Sequence, residues 1–549
     1  MKLRYLAILA IFSCLAMTAQ EKRERTLLAT DRSFYAAGES IKCSAFCLDA
    51  EGSYSGFSSI AYVEVYGNEG TVATGKISLV NGRGGGSVEL PSDIPTGNYR
   101  IAAYTTTNKN ESGYDFNTTS RVITVFNTSG TAREKNGVKV VQELSPAASL
   151  PHNSGNLRVN VGAVEDGFLP VSITADKDAS VSISVWKDEG FARYDNNSLG
   201  TLAKLAWKQP TAKVRNVVED YDGEVIYARI SGSIDSSAIF LASPGSRSDI
   251  YRGKMLQDGR TAFFTDNIYG DKDVAIISLS GIPAAFDASI ESPFTGIKAD
   301  FVPTMELAPS MKDGLTALDA ALRIGKSFDA DTLYSALKVR KLDLLGPWQN
   351  RYVLDDYTRF VTMREVFIEY LHDIRIDRDR DGVNMIVKTV DVKGLASFRH
   401  FAPSLILLDG VPVTDHSIIY NLDPMLIRSV EIYPSNYSFG TSFFCGAANF
   451  VTFAGNLSGA QLGRNSRILS FRGASVPMVY SAAKAAYDPD FPAGAPAKAV
   501  RHKDERGQGI PAGETFDADV VAPGLPGNYV ITVEGFTSDG VPLFYQQKL

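Results

Sequence analysis

The sequence predicts a multidomain, mainly β protein: several antiparallel β-sandwich domains, a small α+β module and a helical insertion. Three observations carry this expectation. Forty-seven glycines are spread through 549 residues among many short strand-like runs, the pattern of short strands joined by tight turns. Apolar and polar residues alternate over long stretches of the first 127 residues, the period of a half-buried strand. Between Leu315 and Leu345 the apolar spacing changes to that of a helix, and the length suits roughly three to five domains.

The first nineteen residues read as a secretory signal peptide. Lys2 and Arg4 precede an apolar core from Leu6 to Ala16 and a small-residue end, Thr18-Ala19-Gln20, the order that export machinery recognises. A competing reading takes Ile11-Phe12-Ser13-Cys14 as a lipobox with Cys14 acylated, but Phe12 fits poorly and the apolar core before it is short. No later run is long and apolar enough to span a bilayer. The mature chain is therefore expected outside the cytoplasm, in the periplasm or associated with an outer membrane.

Removing Lys2 and Arg4 takes the formal charge from 55 − 62 = −7 to 53 − 62 = −9. That mild acidity argues against a nucleic-acid partner. Three cysteines remain, Cys43, Cys47 and Cys445. Cys43 and Cys47 lie four residues apart on one predicted strand, roughly 13 Å at the usual rise and beyond disulfide reach. They are expected to point into a core beside Ile41 and Ala45, and the odd count leaves Cys445 as a free thiol.

Residues 20–127 form the first predicted sandwich. Ile41, Cys43, Ala45 and Cys47 alternate with Lys42, Ser44 and Phe46, and Ala61, Val63 and Val65 with Tyr62, Glu64 and Tyr66. Asn81-Gly82-Arg83-Gly84-Gly85-Gly86 is expected to be a hairpin turn, since it lacks the Lys-Ser/Thr of a phosphate loop and opens no helix. Residues 128–220 read as a linker and a second sandwich, with Val171, Ile173, Val181, Ile183 and Val185 at strand positions. A third β domain follows over 221–300.

Residues 301–349 are the helical insertion. Leu315, Leu318 and Leu322, then Leu333, Leu337 and Leu344, recur at helical spacing on either side of Asp329 and Asp331, an αα-hairpin expected to cover a sheet. Residues 350–460 form the α+β module, beginning with a predicted helix over Asp356 to Leu371. A buried strand from Leu405 to Leu408 then closes on Asp409-Gly410. Asp423-Pro424 has the form of an N-cap followed by proline at the first helical position. Strands are expected from Ser429 to Tyr433 and near Phe450 to Phe453, joined by a loop containing Gly440 and Gly446. Residues 461–549 read as a C-terminal β-rich domain.

Several of these stretches resemble known families. LLDGVPV (Leu407 to Val413), DPMLIRSVEIYPSNYSFG (Asp423 to Gly440) and FFCGAANFVTFAG (Phe443 to Gly455) resemble the plug domain of TonB-dependent outer-membrane receptors. A receptor barrel needs about 22 strands of around 9 to 11 residues, on the order of 200 residues. Only 549 − 455 = 94 residues follow Gly455, so the chain is not expected to be a transporter of that kind. ATDRSFYAAGESI (Ala29 to Ile41) and LPSDIPTGNYRIAAYT (Leu90 to Thr105) resemble macroglobulin-type sandwich domains, without the Cys-Gly-Glu-Gln thioester segment. ISGSI (Ile230 to Ile234), DGRTAFF (Asp258 to Phe264) and IYGDKDVAIISL (Ile268 to Leu279) resemble a carboxypeptidase regulatory-like fold. Together the segments resemble exported Gram-negative envelope proteins that join macroglobulin-like domains to a plug-like domain without a barrel. That resemblance implies a binding or accessory protein with an envelope protein as partner.

Chemistry-bearing motifs are scarce. Asp377-Arg378-Asp379-Arg380-Asp381-Gly382 opens like a calcium loop, but its twelfth position is Lys388 where a bidentate Glu is required. Flanking Ile374, Ile376, Val383, Met385 and Val387 instead predict a hairpin turning at Asp381-Gly382. His152, His372, His400, His416 and His502 show no metal-ligand spacing, and no Gly-x-Ser-x-Gly elbow occurs. The expectation is a non-enzymatic chain with no catalytic, cofactor-binding or metal residues and no cofactor. Its docking region is expected over Leu405 to Phe453, with the adhesin or protease-interacting role of a macroglobulin-like end as the alternative. Tyr437, Phe439, Phe443 and Phe444 are expected to fill a core. Nothing in the patterning specifies an oligomeric state.

Overall fold

The computed structural model describes residues 23–128, 137–147, 153–164, 168–195, 197–213, 217–245, 248–266, 268–280, 285–328, 334–336, 344–379, 382–389, 403–439, 442–459, 461–476, 478–480, 510–521 and 527–549. The fold is mainly β, with antiparallel pairing predominating. The chain divides into two compact units: 1–222, 294–338 and 474–549 form one, and 223–293 and 339–473 the other.

The first unit contains two sandwiches. In the first, the three-stranded sheet Glu24–Thr30, Ser40–Asp49 and Arg83–Glu89 faces a five-stranded sheet of Phe34–Ala36, Arg121–Phe126, Gly97–Tyr104, Ile60–Gly67 and Gly70–Ser78. Ile41, Cys43, Ala45 and Cys47 meet Ala61, Val63, Val65, Ile101 and Ile123 between the sheets, as the alternation predicts. The opposite faces are not solvated, however. Lys42, Ser44, Phe46, Tyr62, Glu64 and Tyr66 are buried too, because other parts of the unit cover both outer faces; Ser44 Oγ, for example, lies 3.1 Å from Ser182 Oγ.

The glycine cluster turns at Asn81-Gly82, both at positive φ (49° and 72°). Gly84 and Gly86 lie beyond the turn, in the Arg83–Glu89 strand. A Cβ on Gly84 would come within 2.1 Å of the Ser78 carbonyl oxygen, so these glycines serve close backbone packing where the chain crosses from one sheet to the other.

The second sandwich corrects the expected domain boundaries. Phe168–Ala175 pairs with Leu157–Val161 and with Thr515–Val521, and Ala179–Lys187 pairs with Tyr529–Thr537, which pairs with Pro542–Lys548. Residues 128–220 supply half of this sandwich and the C-terminal segment the other half. Val171, Ile173, Val181 and Ile183 could not bury their apolar faces without Phe516, Val520, Ile531 and Val533 opposite. The expected independent domain over 461–549 is accordingly divided, since Ser466–Arg472 joins a sheet of the other unit.

Among the described residues the helical insertion contains one α-helix, Lys312–Phe328. Leu318 is buried against Phe34, Phe126, Trp186 and Phe191, with Leu315 and Leu322 beside it, so the helix covers sheet elements as expected. Its expected partner is not a helix at Tyr334–Ala336, which is a strand paired with Met478–Tyr480; Leu333 and Leu337 lie outside the described residues. Cross-strand pairing there outweighs the leucine spacing.

In the second unit, residues from the third predicted β domain build a seven-stranded sheet, completed by Ser466–Arg472. The α+β module has a five-stranded sheet ordered Asn350–Val353, Ile427–Phe439, Ser442–Thr452, Leu405–Leu408 and Val411–Pro412. One apolar core runs from Ala238, Phe240 and Ile277 to Leu405–Leu408, Val430 and Phe450. The two long module strands exceed the predicted ones: Ser442–Thr452 absorbs the Gly446 part of the expected loop, Gly440 lying outside the described residues, and Gly446 (φ 74°) sits beside the register shift between Tyr433 and Asn436. That shift is a β-bulge, and Cys445 is therefore a buried strand residue.

Candidate docking face of the α+β module

The module's scaffold is set by one buried carboxylate. Asp409 ends the Leu405–Leu408 strand at φ 47° and is fully buried. Its Oδ1 accepts from Thr452 N at 2.7 Å, and its Oδ2 from Thr452 Oγ1 at 2.7 Å and Leu457 N at 2.8 Å. Gly410 N donates to Asn449 Oδ1 at 2.9 Å. Asp tolerates the left-handed conformation better than most residues, and three donors offset the cost of burying its charge. This carboxylate fixes where the Ser442–Thr452 strand ends.

A short turn is held next to that end. Asp423 caps the 3-10 turn Pro424–Leu426, its Oδ1 accepting from Met425 N at 2.9 Å, as the Asp-Pro signal predicts. Phe453 N donates to Leu426 O at 3.0 Å. Arg359 Nη1 donates to Pro424 O at 2.8 Å and Ile427 O at 2.9 Å, while Asp355 Oδ1 accepts from its Nη2 at 2.6 Å. The expected helix from Asp356 instead starts at Met363, behind a capping box of Thr362 and Glu365. The stretch before Thr362 stays non-helical, and Arg359 binds the turn from there.

These anchors leave apolar side chains outside. Met425 is 56% exposed, Leu426 39% and Phe453 47%, and Val361, two residues beyond Arg359, is 85% exposed. The Phe453 ring lies 5.6 Å from the Arg359 guanidinium and 5.4 Å from that of Arg428, which also donates to Phe453 O at 3.2 Å. An aromatic ring flanked by two guanidinium groups is rigid at little entropic cost, and aromatic and arginine side chains dominate protein interfaces. The arrangement can bind a complementary surface.

Within the expected docking region, Phe444 is buried and Tyr437 and Phe439 pack against the core as expected, whereas Phe443 is exposed rather than core-filling, since its side chain falls on the opposite side of the strand from Phe444. Phe439 stacks edge-on with Phe240 at 6.3 Å and with Phe444 at 6.1 Å, and Tyr437 donates to Leu345 O at 3.0 Å. The sequence pattern pointed to Met425 and Leu426 as a turn but gave no sign of Arg359, whose partners are 65 and 68 residues away. A strand-terminal phenylalanine after Thr452, outside the alternating run, was the available signal for Phe453.

The remaining candidates have structural placements. Ile374–Asp379 pairs with Gly382–Val387 as a hairpin, and Asp377 is paired with Arg375 at 2.8 Å; Arg380 and Asp381 lie outside the described residues. His416 is buried, its Nδ1 accepting from Met385 N at 3.0 Å; burial pulls its pKa down to about 4 against the opposing charge of Asp415. His372 is exposed, and His152, His400 and His502 lie outside the described residues. Cys43, Cys47 and Cys445 are buried. Among the described residues no group of His, Cys, Asp and Glu gathers as a metal site, and no helix is long and apolar enough to cross a membrane.

No family model matches the chain, and no curated protein matches it. Among solved structures, Escherichia coli alpha-2-macroglobulin in its native conformation is similar at 9% identity and a TM-score of 0.22, over 96% of this chain and 40% of that one. Salmonella alpha-2-macroglobulin reacted with methylamine is similar at 10% identity and a TM-score of 0.21, over 96% and 39%. The Escherichia coli adhesin FdeC is similar at 14% identity and a TM-score of 0.15, over 52% and 64%. The chain thus spans about two fifths of the length of the macroglobulins. At these TM-scores the likenesses carry no argument about this chain's fold or activity.

Proposed function

We propose that the chain is an exported, non-enzymatic binding protein of a Gram-negative envelope, which presents its plug-like module to an envelope protein through the Pro424–Leu426 turn and Phe453. The observation supporting this reading is the exposed set Met425, Leu426 and Phe453, held in place by Arg359 and Arg428. Apolar side chains pre-organised at a surface lose little freedom on binding, so more of their burial is available as affinity.

The test uses the mature chain with a photo-crosslinking residue at Met425 or Phe453, in envelope fractions. Crosslinking to one outer-membrane protein, abolished by Leu426→Asp with the module still folded, is the expected result. Crosslinks that form equally with Leu426→Asp, or that arise only when the probe sits in the first sandwich, overturn it; the second outcome would favour the adhesin or protease-interacting role. Point substitutions are preferable to deleting 350–460, because 223–293 and 339–473 form one compact unit with a shared apolar core.

A further inference from the structure

The outer face of the five-stranded sheet in the first sandwich is covered by an extended segment, residues 294–303, that has no regular secondary structure. Glu64 lies beneath it in the Ile60–Gly67 strand and is fully buried. Its Oε1 accepts from Thr295 N at 2.8 Å and Gly296 N at 3.2 Å, and its Oε2 from Ile297 N at 3.1 Å. Three successive amides converging on one carboxylate form an anion-binding concavity, and Gly296 supplies the positive φ of 71° that such a nest uses. Thr71 and Tyr104 hydroxyls donate to the same carboxylate.

The rest of the segment is also held by its backbone. Ala299 N donates to Gly67 O at 3.0 Å. Ile297 O accepts from Thr71 Oγ1 at 3.3 Å, Lys298 O from Asn117 Nδ2 at 3.2 Å, Phe301 O from Arg100 Nε at 2.7 Å and Pro303 O from Asn98 Nδ2 at 3.0 Å. Few apolar side chains contribute: Ile297 and Ala299 are buried, Phe294 packs edge-on with Tyr62 at 5.9 Å, and Phe301 is 64% exposed. Segments held by polar contacts with little apolar burial are those that open locally below the global unfolding free energy. The segment also lies where the chain returns from the excursion 223–293 into the first unit. The outgoing end is fixed on the same strand, with Asp220 Oδ2 accepting from Tyr62 Oη at 3.0 Å and Asp220 O from Ser59 N at 2.8 Å.

We propose that residues 294–303 are a releasable strap latched by Glu64, which the first sandwich binds through the strap's backbone. Lifting it uncovers Glu64 and removes the contacts of Phe294 with Tyr62 and of Thr295 N with Tyr104 Oη. It also frees ten residues of tether, up to about 35 Å of chain. Strap side chains other than Phe294, Ile297 and Ala299 contribute little to the latch, while Glu64 at one end and Arg100 at the other hold it.

Hydrogen exchange on the full mature chain tests the proposal. In the wild type, amides of Thr295, Gly296, Ile297 and Ala299 exchange faster than those of the Ile60–Gly67 strand. Glu64→Gln replaces one accepting oxygen by a donor and removes the charge, so strap exchange rises roughly ten- to a hundredfold, the loss of one or two charge-assisted hydrogen bonds, while Ile60–Gly67 and Gly97–Tyr104 are unchanged. Arg100→Ala produces a smaller rise confined to the 299–303 end and decides the matter if Glu64→Gln does not fold. A strap that does not respond in the folded variants, or that exchanges in step with Ile60–Gly67, overturns the proposal and makes 294–303 a fixed part of the sandwich.

Discussion

Asp409→Ala should be among the most damaging single substitutions in the α+β module, and the structure gives its size. The side chain is fully buried and accepts from Thr452 N, Thr452 Oγ1 and Leu457 N. The threonine hydroxyl can turn to another acceptor, but the two backbone amides would be stranded at about 1–3 kcal/mol each. Alanine at φ 47° adds on the order of 1 kcal/mol. The expected loss is therefore about 3–7 kcal/mol. Asp409→Asn keeps one accepting oxygen and the tolerance for this φ, so it should lose about 1–2 kcal/mol. Asp409→Gly should fall between, relieving the backbone but not the amides. Hydrogen exchange of the Leu405–Leu408 and Ser442–Thr452 amides reads these values for this module without requiring the whole chain to unfold in two states. Equal effects of Asn and Ala, or an Ala effect below about 1 kcal/mol, would refute the view that this carboxylate organises the module.

Three further outcomes are expected. In the first unit, Arg121 Nη1 lies 3.1 Å from Asp195 Oδ2 and Nη2 pairs with Glu534, so one buried cation faces two buried carboxylates. Arg121→Met should cost about 3–5 kcal/mol, whereas Glu534→Gln should be near neutral at pH 7. Burial raises both the Asp195 and Glu534 pKa values, opposed by Arg121. A raised folded pKa contributes stability that is present below the unfolded value and lost as pH rises through the folded one, so melting curves of Glu534→Gln should show a smaller decline with rising pH than wild type. His416 has the opposite sign: its folded pKa of about 4 lies below the unfolded value, so the second unit should lose about 3 kcal/mol as pH falls from roughly 6.5 to 4. His416→Asn, which can keep the acceptor for Met385 N, should flatten that dependence in denaturant titrations. Native protein should resist thiol labelling at Cys43, Cys47 and Cys445, all buried, and label only after denaturation; burial also pushes the Cys43 and Cys47 thiols up, which removes the reactive thiolate.

Local signals determine much of this protein. Alternation placed Ile41, Cys43, Ala45 and Cys47 on one inward face, because side chains along a strand change sides at every residue. Leu405 to Leu408 with Asp409-Gly410 gave a buried strand and its turn, and Asp423-Pro424 gave the capped turn that carries Met425 and Leu426. These devices act within a few residues, so the sequence contains their physics. Tertiary structure alone decided what depends on distant partners. Thr515–Val521 and Tyr529–Thr537 carry the strand pattern of a separate domain, yet they close the sandwich begun at Leu157, because apolar faces are non-directional and take whichever complementary face the chain topology supplies. Glu64 alternates like a solvated residue and is buried under amides more than 230 residues away. Arg359, within a predicted helix, instead holds the turn that presents Phe453. Periodicity fixes which side a residue faces along its strand; only the folded chain fixes what lies opposite.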